Sequence, residues 1–154
     1  MQRVNRISPY VVATACLFLA GAGTLSPAKS QPAPSATAAP SLNYEFFRDK
    51  VQAVFLHKRE GHTRCVACHT VNNVLTMHLV PLSPGATTWN EEQSRQNFQW
   101  VSRVVVPGYE DSLLIKHPLD EKAGGDLRHG GGQQFANKND PDWQTLRAWV
   151  MGAK

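Results

Sequence analysis

Apolar residues recur at helical spacing in the segment that begins at Asn43. They fall on one face of a helix over residues 43–59, at Phe46, Phe47, Val51, Val54 and Phe55. Asn43 is a favourable N-cap residue, and Gly61 follows as a residue that ends helices. The pattern predicts a first helix with a buried aromatic face.

A second helical pattern lies at the end of the chain. Asp140-Pro141-Asp142 combines a capping residue with a proline in the first helical turn. The apolar face of this helix consists of Trp143, Leu146, Trp149 and Val150. We expect the two helices to share one core. The predicted contacts join Trp149 or Leu146 to three residues of the first helix, Phe46, Phe47 and Val54.

The middle of the chain is less regular. Residues 91–105 predict a further helix with Phe98 and Val101 directed inward, and residues 112–115 predict a short helical turn. Residues 118–132 are rich in glycine, which favours a loop whose backbone closely approaches another group. These segments predict an all-α fold with long irregular loops.

The first 28 residues have the layout of a secretory signal peptide or an N-terminal membrane anchor. Arg3 and Arg6 precede an apolar run over residues 10–25, and small residues follow it. Both readings stay open because a run of about 18 residues just spans a bilayer; lipidation at Cys16 is a third alternative. Residues 29–41, rich in proline and alanine, predict a flexible linker. Residues 42–154 then form the folded domain, in the periplasm or another extracytoplasmic compartment.

Charge and composition exclude one class of partner. The chain has 154 residues, of which 42% are hydrophobic and 18% charged, as in an ordinary globular protein. Arg3, Arg6 and Lys29 account for three of the 16 basic side chains, so 13 basic side chains face 12 acidic ones from Ser41 onward. A nearly neutral domain has no basic stripe to neutralise phosphates, and we expect no nucleic acid as a partner.

The residues with the clearest chemistry are Cys65-Val66-Ala67-Cys68-His69, a C-x-x-C-H sequence. Two thiols on one helical turn can each form a thioether with a vinyl group of haem, and the adjacent histidine can bind the iron. A zinc site needs about four ligands, and the chain has three cysteines, of which Cys16 lies in the leader. A redox dithiol does not need the histidine. The motif therefore predicts one covalent haem c, with Cys65, Cys68 and His69 as its binding residues.

The domain resembles class I c-type cytochromes over residues 43–152. The shared features are an aromatic first helix, C-x-x-C-H shortly after it, and a last helix with Leu146-x-x-Trp149-Val150. More narrowly, several short motifs resemble the small haem c domains of acidobacterial and planctomycete proteins. These motifs are Pro107-Gly108, Ser112-Leu113-Leu114, His117-Pro118-Leu119, Gly124-Gly125 and His129-Gly130-Gly131.

The resemblance implies a cytochrome c-like helical domain that transfers electrons and is not an enzyme. Its partners would be redox proteins, including a membrane-bound electron-transport complex, and the N-terminal segment would hold it near the membrane. The alternatives are a peroxidase-like enzyme, with His129 or Arg128 beside an open distal site, and a haem-based sensor.

The second iron ligand departs from the class I pattern, because no methionine stands where that ligand would fall. In the class I arrangement this ligand comes from a loop shortly before the last helix, and His129 lies there among glycines. We therefore expect His69 and His129 to be the two metal ligands. Met77 and His117 are the alternatives. Met77 follows His69 by only eight residues, which favours a place in the core.

Overall fold

The computed structural model of the chain describes residues 40–70, 76–126 and 129–154. Their helices, in chain order, are α1 (Tyr44–Phe46), a π-helical turn (Phe47–Val51), α2 (Gln52–Leu56), α3 (Cys65–His69), α4 (Glu91–Ser102), α5 (Leu113–Lys116), a 3-10 helix (Glu121–Ala123) and α6 (Pro141–Val150). Within these residues, extended segments pair only at a single bridge between Leu119 and Phe135. The predicted all-α class is confirmed.

The predicted signal peptide or anchor, residues 1–28, lies outside the described residues, as does nearly all of the linker, residues 29–41. In the part of the chain that the structure does describe, no helix is both long enough and apolar enough to cross a membrane. The domain predicted from residue 42 onward contains all of the helices given above.

The first helical run begins as predicted and ends earlier. The Oδ1 atom of Asn43 accepts a hydrogen bond from the Phe46 N–H over 2.7 Å, which caps the run. The run ends at Leu56, since His57 has an extended backbone with φ −65° and ψ 125°. His57 and Arg59 both contact the carboxylate of Asp142 in α6. These two long-range contacts favour a non-helical backbone at residues 57–59, where the sequence predicted a helix.

The first helical run and the last helix share an aromatic core, as predicted. The ring centroids of Phe47 and Trp149 lie 5.1 Å apart, and Phe98 of α4 lies 5.5 Å from Phe47 and 6.0 Å from Trp149. The Nε1–H of Trp149 donates to the carbonyl of Asn43 over 2.8 Å. The predicted contact between Phe47 and Trp149 is therefore confirmed. It joins the first helical run to α6, and α6 also packs against the short helix α5.

Helix α4 begins with a reciprocal cap, in which Asn90 and Gln93 each accept a hydrogen bond from the other's backbone N–H. It ends at Ser102, three residues before the predicted end. Val101 is fully buried, as expected, whereas Phe98 is only partly buried. The fully buried side chain of Asn97 accepts a hydrogen bond from the Val80 N–H over 2.7 Å. This bond holds the segment after the C-x-x-C-H motif against α4.

The glycine-rich segment forms a loop that returns to its own start. The Asp120 N–H donates to the Phe135 carbonyl over 2.9 Å, and the Phe135 N–H donates to the Pro118 carbonyl over 3.1 Å. Gly125 permits this closure, because a Cβ atom there would lie 1.8 Å from the Leu119 carbonyl oxygen. The loop, residues 119–135, carries His129 and is fixed at both ends.

Candidate cofactor-binding site

A cavity of about 560 Å³ lies between the motif helix α3, the loop that carries His129, and the core. Its size falls within the about 300 to 1,000 Å³ that is usual for sites that bind small molecules and cofactors. Most of the wall is apolar. The chemically active side chains that line it are Cys65, Cys68, His69, Met77, His117 and His129.

Helix α3 places both cysteines of the motif at this cavity. It packs against α2, and Val66, which lies between the two cysteines in the sequence, is buried. Cys65 and Cys68 are not joined in a disulfide. Burial raises the pKa of the Cys65 thiol, whereas cysteines that exchange disulfides have lowered pKa values that favour the reactive thiolate. Burial therefore disfavours the thiolate form of Cys65.

His69 has one ring nitrogen engaged and the other available. Its Nδ1 atom lies 2.9 Å from the carbonyl oxygen of Met77. A carbonyl can only accept, so Nδ1 carries the hydrogen and Nε2 keeps a lone pair. Burial lowers the pKa of His69, which favours the neutral imidazole that binds metals. A hydrogen bond of this kind also fixes the ring orientation of a metal-binding histidine.

His129 has the same arrangement on the loop. Its Nδ1 atom donates to the Gly132 carbonyl over 2.6 Å, which leaves Nε2 with a lone pair. The ring centroids of His69 and His129 lie 6.3 Å apart, and their planes are inclined by 24°. The structure thus brings together the two residues that the sequence analysis proposed as metal ligands, although their binding of iron stays a prediction.

The two rings are close enough for both histidines to contact one bound group. Their centroids lie 6.3 Å apart, and a bond between a metal and a histidine nitrogen is roughly 2.0 Å long. Among the residues that the structure describes, no group of three or more histidine, cysteine, aspartate and glutamate side chains is placed to hold a metal ion.

The two alternative ligands also line the cavity. Met77 is partly buried against the hydrophobic core, as its place in the sequence favours, and its carbonyl binds His69. His117 lies next to His129, with ring centroids 5.2 Å apart. Arg128, the other residue named for a peroxidase-like site, lies outside the described residues.

The sequence pattern did not identify two charged residues that lie near the site. Asp126 accepts a hydrogen bond from Nδ1 of His117 over 3.2 Å, and nothing in the glycine-rich segment set it apart. Arg59 lies over the ring of Phe135 at 4.7 Å and lowers the pKa of Cys65, against the larger effect of burial. Arg59 and Phe135 are distant in the sequence, and His117 and Asp126 meet only because the loop folds back. The spacing of residues along the sequence therefore does not predict either contact.

Comparison with known proteins adds no family, relative or similar structure. No family model matches the chain, and neither a curated protein nor a solved structure matches it. The function must therefore be inferred from the residues and distances given above.

Proposed function

We propose that this chain is a single-haem c-type cytochrome with a class I-like fold, which carries electrons between redox partners outside the cytoplasm. The observation that carries this proposal is the pair of imidazoles, His69 and His129, whose centroids lie 6.3 Å apart in a cavity shared with both motif cysteines. A haem c needs these two kinds of group together: thiols for covalent attachment and histidines for the iron.

The cysteines and the histidines would bind different parts of the cofactor. Cys65 and Cys68 would form the two thioethers, and His69 would bind iron through Nε2 while Nδ1 stays bonded to the Met77 carbonyl. That hydrogen bond makes the imidazole a stronger donor to the metal. His129 would bind from the other side, with Nδ1 bonded to Gly132. Two imidazoles favour ferric iron more than a histidine and methionine pair does, so a low reduction potential is expected.

The apolar wall of the cavity sets the environment of the redox centre. When bound, haem supplies a one-electron ferric and ferrous couple. The side chains around it exclude water and lower the local dielectric, which is one of the means by which a protein sets a haem potential. These side chains include Phe55, Val104, Leu114, Phe135 and Leu146, and all five are buried in the core.

One part of the cavity wall is open to a partner. Leu113 lines the cavity and is 49% exposed, so an apolar rim lies where a redox protein can approach the cofactor closely. Because the domain has nearly equal numbers of basic and acidic side chains, its net charge does not produce a strong electrostatic field that would steer a charged partner towards it. The partners proposed are redox proteins, including a membrane-bound electron-transport complex, and the signal-like N-terminus supports a location outside the cytoplasm.

Covalent attachment is the decisive test. Wild-type protein, matured in a host that attaches haem c, should keep one haem per chain after denaturation and acid–acetone extraction. The Cys65→Ala, Cys68→Ala double variant should lose it. Cys16→Ala is the matched control, because Cys16 lies outside the motif, and its haem content should equal that of wild type. A double variant with full haem occupancy would refute the proposal.

An optical spectrum separates electron transfer from the enzyme alternative. Low-spin, six-coordinate iron that reduces and reoxidises reversibly supports an electron carrier. High-spin iron that binds carbon monoxide or cyanide at once supports a peroxidase-like enzyme or a sensor with an open distal site.

A further inference from the structure

His117 is a third imidazole at the cavity, beyond the two that the proposed function uses. Its ring lies edge-to-face with that of His129, with centroids 5.2 Å apart and planes inclined by 88°. Its Nδ1 atom donates to Oδ2 of Asp126 over 3.2 Å. An ionised carboxylate only accepts, so Nδ1 carries a hydrogen, and Nε2 is the nitrogen with the lone pair in the neutral form of His117. A carboxylate on the far nitrogen also makes an imidazole a stronger metal ligand.

Two glycines beyond His129 have space around them. Among the residues that the structure describes, none beyond the chain neighbours has an atom within 4 Å of a Cβ placed at Gly130 or Gly132. The hydrogen bond of His129 at Nδ1 is made within this loop, to Gly132. Segments with few packed contacts open at low free-energy cost. The middle of the loop could therefore open while its two ends stay fixed, and His129 would move together with its hydrogen-bond partner.

His117 is anchored to the helical frame. It directly follows α5, and its N–H donates to the Leu113 carbonyl over 3.0 Å. Helix α5 in turn packs against α6. The rings of His117 and His129 are in edge-to-face contact, so the His117 imidazole lies beside the position that the His129 imidazole occupies.

We propose that His117 is a reserve distal ligand, which takes the iron position that His129 gives up. This inference rests on the proposed function, because it concerns ligands to a bound haem. The exchange would replace the Nε2 lone pair of one imidazole with that of the other, each ring in its neutral form, so it would transfer no electron and need no proton. In either arrangement two histidines would hold the iron, so carbon monoxide would bind only after the distal histidine dissociates.

The test compares the ferric optical and magnetic-resonance spectra of the holoprotein in four forms. Wild type and His117→Ala should give the same low-spin spectrum. His129→Ala should stay low-spin with shifted g values, since a different imidazole then binds. The His117→Ala, His129→Ala double variant should lose the low-spin signal. His62→Ala is the matched control, because His62 does not line the cavity, and it should match wild type.

Two spectral results would overturn the inference. A high-spin His129→Ala variant would show that His117 does not reach the iron. A low-spin double variant would show that a different residue, such as Met77, is the ligand. Failure of the proposed function has a separate signature, which is the absence of covalent haem from the wild-type protein.

Carbon monoxide kinetics test the inference even if variants of His129 do not fold. In ferrous wild type, His117 competes with carbon monoxide each time His129 dissociates. Removal of this competitor in His117→Ala should increase the rate of carbon monoxide binding, while His62→Ala leaves the rate unchanged. Equal rates in wild type and His117→Ala would overturn the inference.

Discussion

Each histidine at the cavity is oriented by an oxygen atom at its Nδ1 position. The acceptors are the Met77 carbonyl for His69, the Gly132 carbonyl for His129 and the Asp126 carboxylate for His117. In the neutral form of each ring, the lone pair is therefore at Nε2. Two of these acceptors are backbone atoms, so the orientation of the ligands depends on loop conformation more than on particular side chains.

The first prediction follows from this dependence and concerns Gly125. In Gly125→Ala the new Cβ would lie 1.8 Å from the Leu119 carbonyl oxygen. The neighbour is backbone, so the loop of residues 119–135 must shift to accept the methyl group. We expect the free energy of unfolding of the holoprotein to fall by about 1 to 3 kcal/mol, the usual cost of overpacking. Denaturant unfolding measures it.

Gly130→Ala is the control for this prediction. A Cβ atom at Gly130 would meet no atom within 4 Å in the part of the chain that the structure describes, and the φ of Gly130 is not in the left-handed region. Its stability should stay within about 0.5 kcal/mol of wild type. If Gly125→Ala unfolds at the same denaturant concentration as Gly130→Ala, the loop does not close as the structure has it.

At the scale of elements, the sequence predicted which helices form and was less accurate on where they end. Asn43 and Asp140 cap the first run and α6 as expected, because a cap depends on neighbours in the sequence. The first run was predicted to reach residue 59 and ends at Leu56. Its end is set by contacts of His57 and Arg59 with Asp142, which no local pattern contains.

The second prediction concerns the core between the first run and α6. Trp149 is fully buried and contacts Phe47 and Phe98. Trp149→Ala should lower the free energy of unfolding by about 3 to 5 kcal/mol, the usual cost of truncating a buried aromatic side chain. Trp149→Phe keeps a ring but loses the hydrogen bond to Asn43, so its cost should be smaller. Equal stabilities of Trp149→Ala and wild type would disprove the shared core.

The third prediction concerns the connection from α2 to α6. Asp142 binds both His57 and Arg59, and the Arg59 side chain is only 10% exposed. Asp142→Asn would leave this buried guanidinium without its counter-charge. We expect a loss of about 2 to 3 kcal/mol, less than the about 3 to 5 kcal/mol for a fully buried ion pair, since Asp142 is 23% exposed.

Asp49→Asn is the matched control for Asp142→Asn. Asp49 pairs with Arg48 at the surface, and both side chains are more than 40% exposed. Exposed ion pairs contribute little to stability, so no measurable change is expected. If the two variants unfold alike, the contact between Arg59 and Asp142 is not a structural connection.

For the whole molecule, the sequence predicted which residues would meet at the cavity from their order along the chain, but not the contacts that depend on how the loop closes. Cys65, Cys68 and His69 stand in one motif, and all three line the cavity. His129 was expected to face His69 from its position before α6, and the ring centroids are 6.3 Å apart. Asp126 was not singled out, because its contact with His117 depends on how the loop closes.

The last prediction concerns how far the whole domain depends on its cofactor. The cavity of about 560 Å³ is open on one side, so without haem it would hold water against its apolar wall. Contact with water removes the favourable burial of apolar surface, which contributes roughly 25 cal/mol per Å². A haem-free chain would therefore expose the cavity-facing surfaces of Phe55, Leu114 and Leu146 or rearrange them.

We expect haem-free protein to melt at least about 20 °C below the holoprotein, the shift that corresponds to a loss of roughly 5 kcal/mol in a domain of this size. Near-ultraviolet circular dichroism, which reports fixed aromatic packing, should weaken more than the far-ultraviolet helical signal. Two haem-free forms control for the substitutions themselves: the Cys65→Ala, Cys68→Ala variant and wild-type chain produced without haem attachment. They should melt alike. Melting of both within a few degrees of the holoprotein would mean that the domain fills or closes this cavity without haem, and that the cavity is not built around a cofactor.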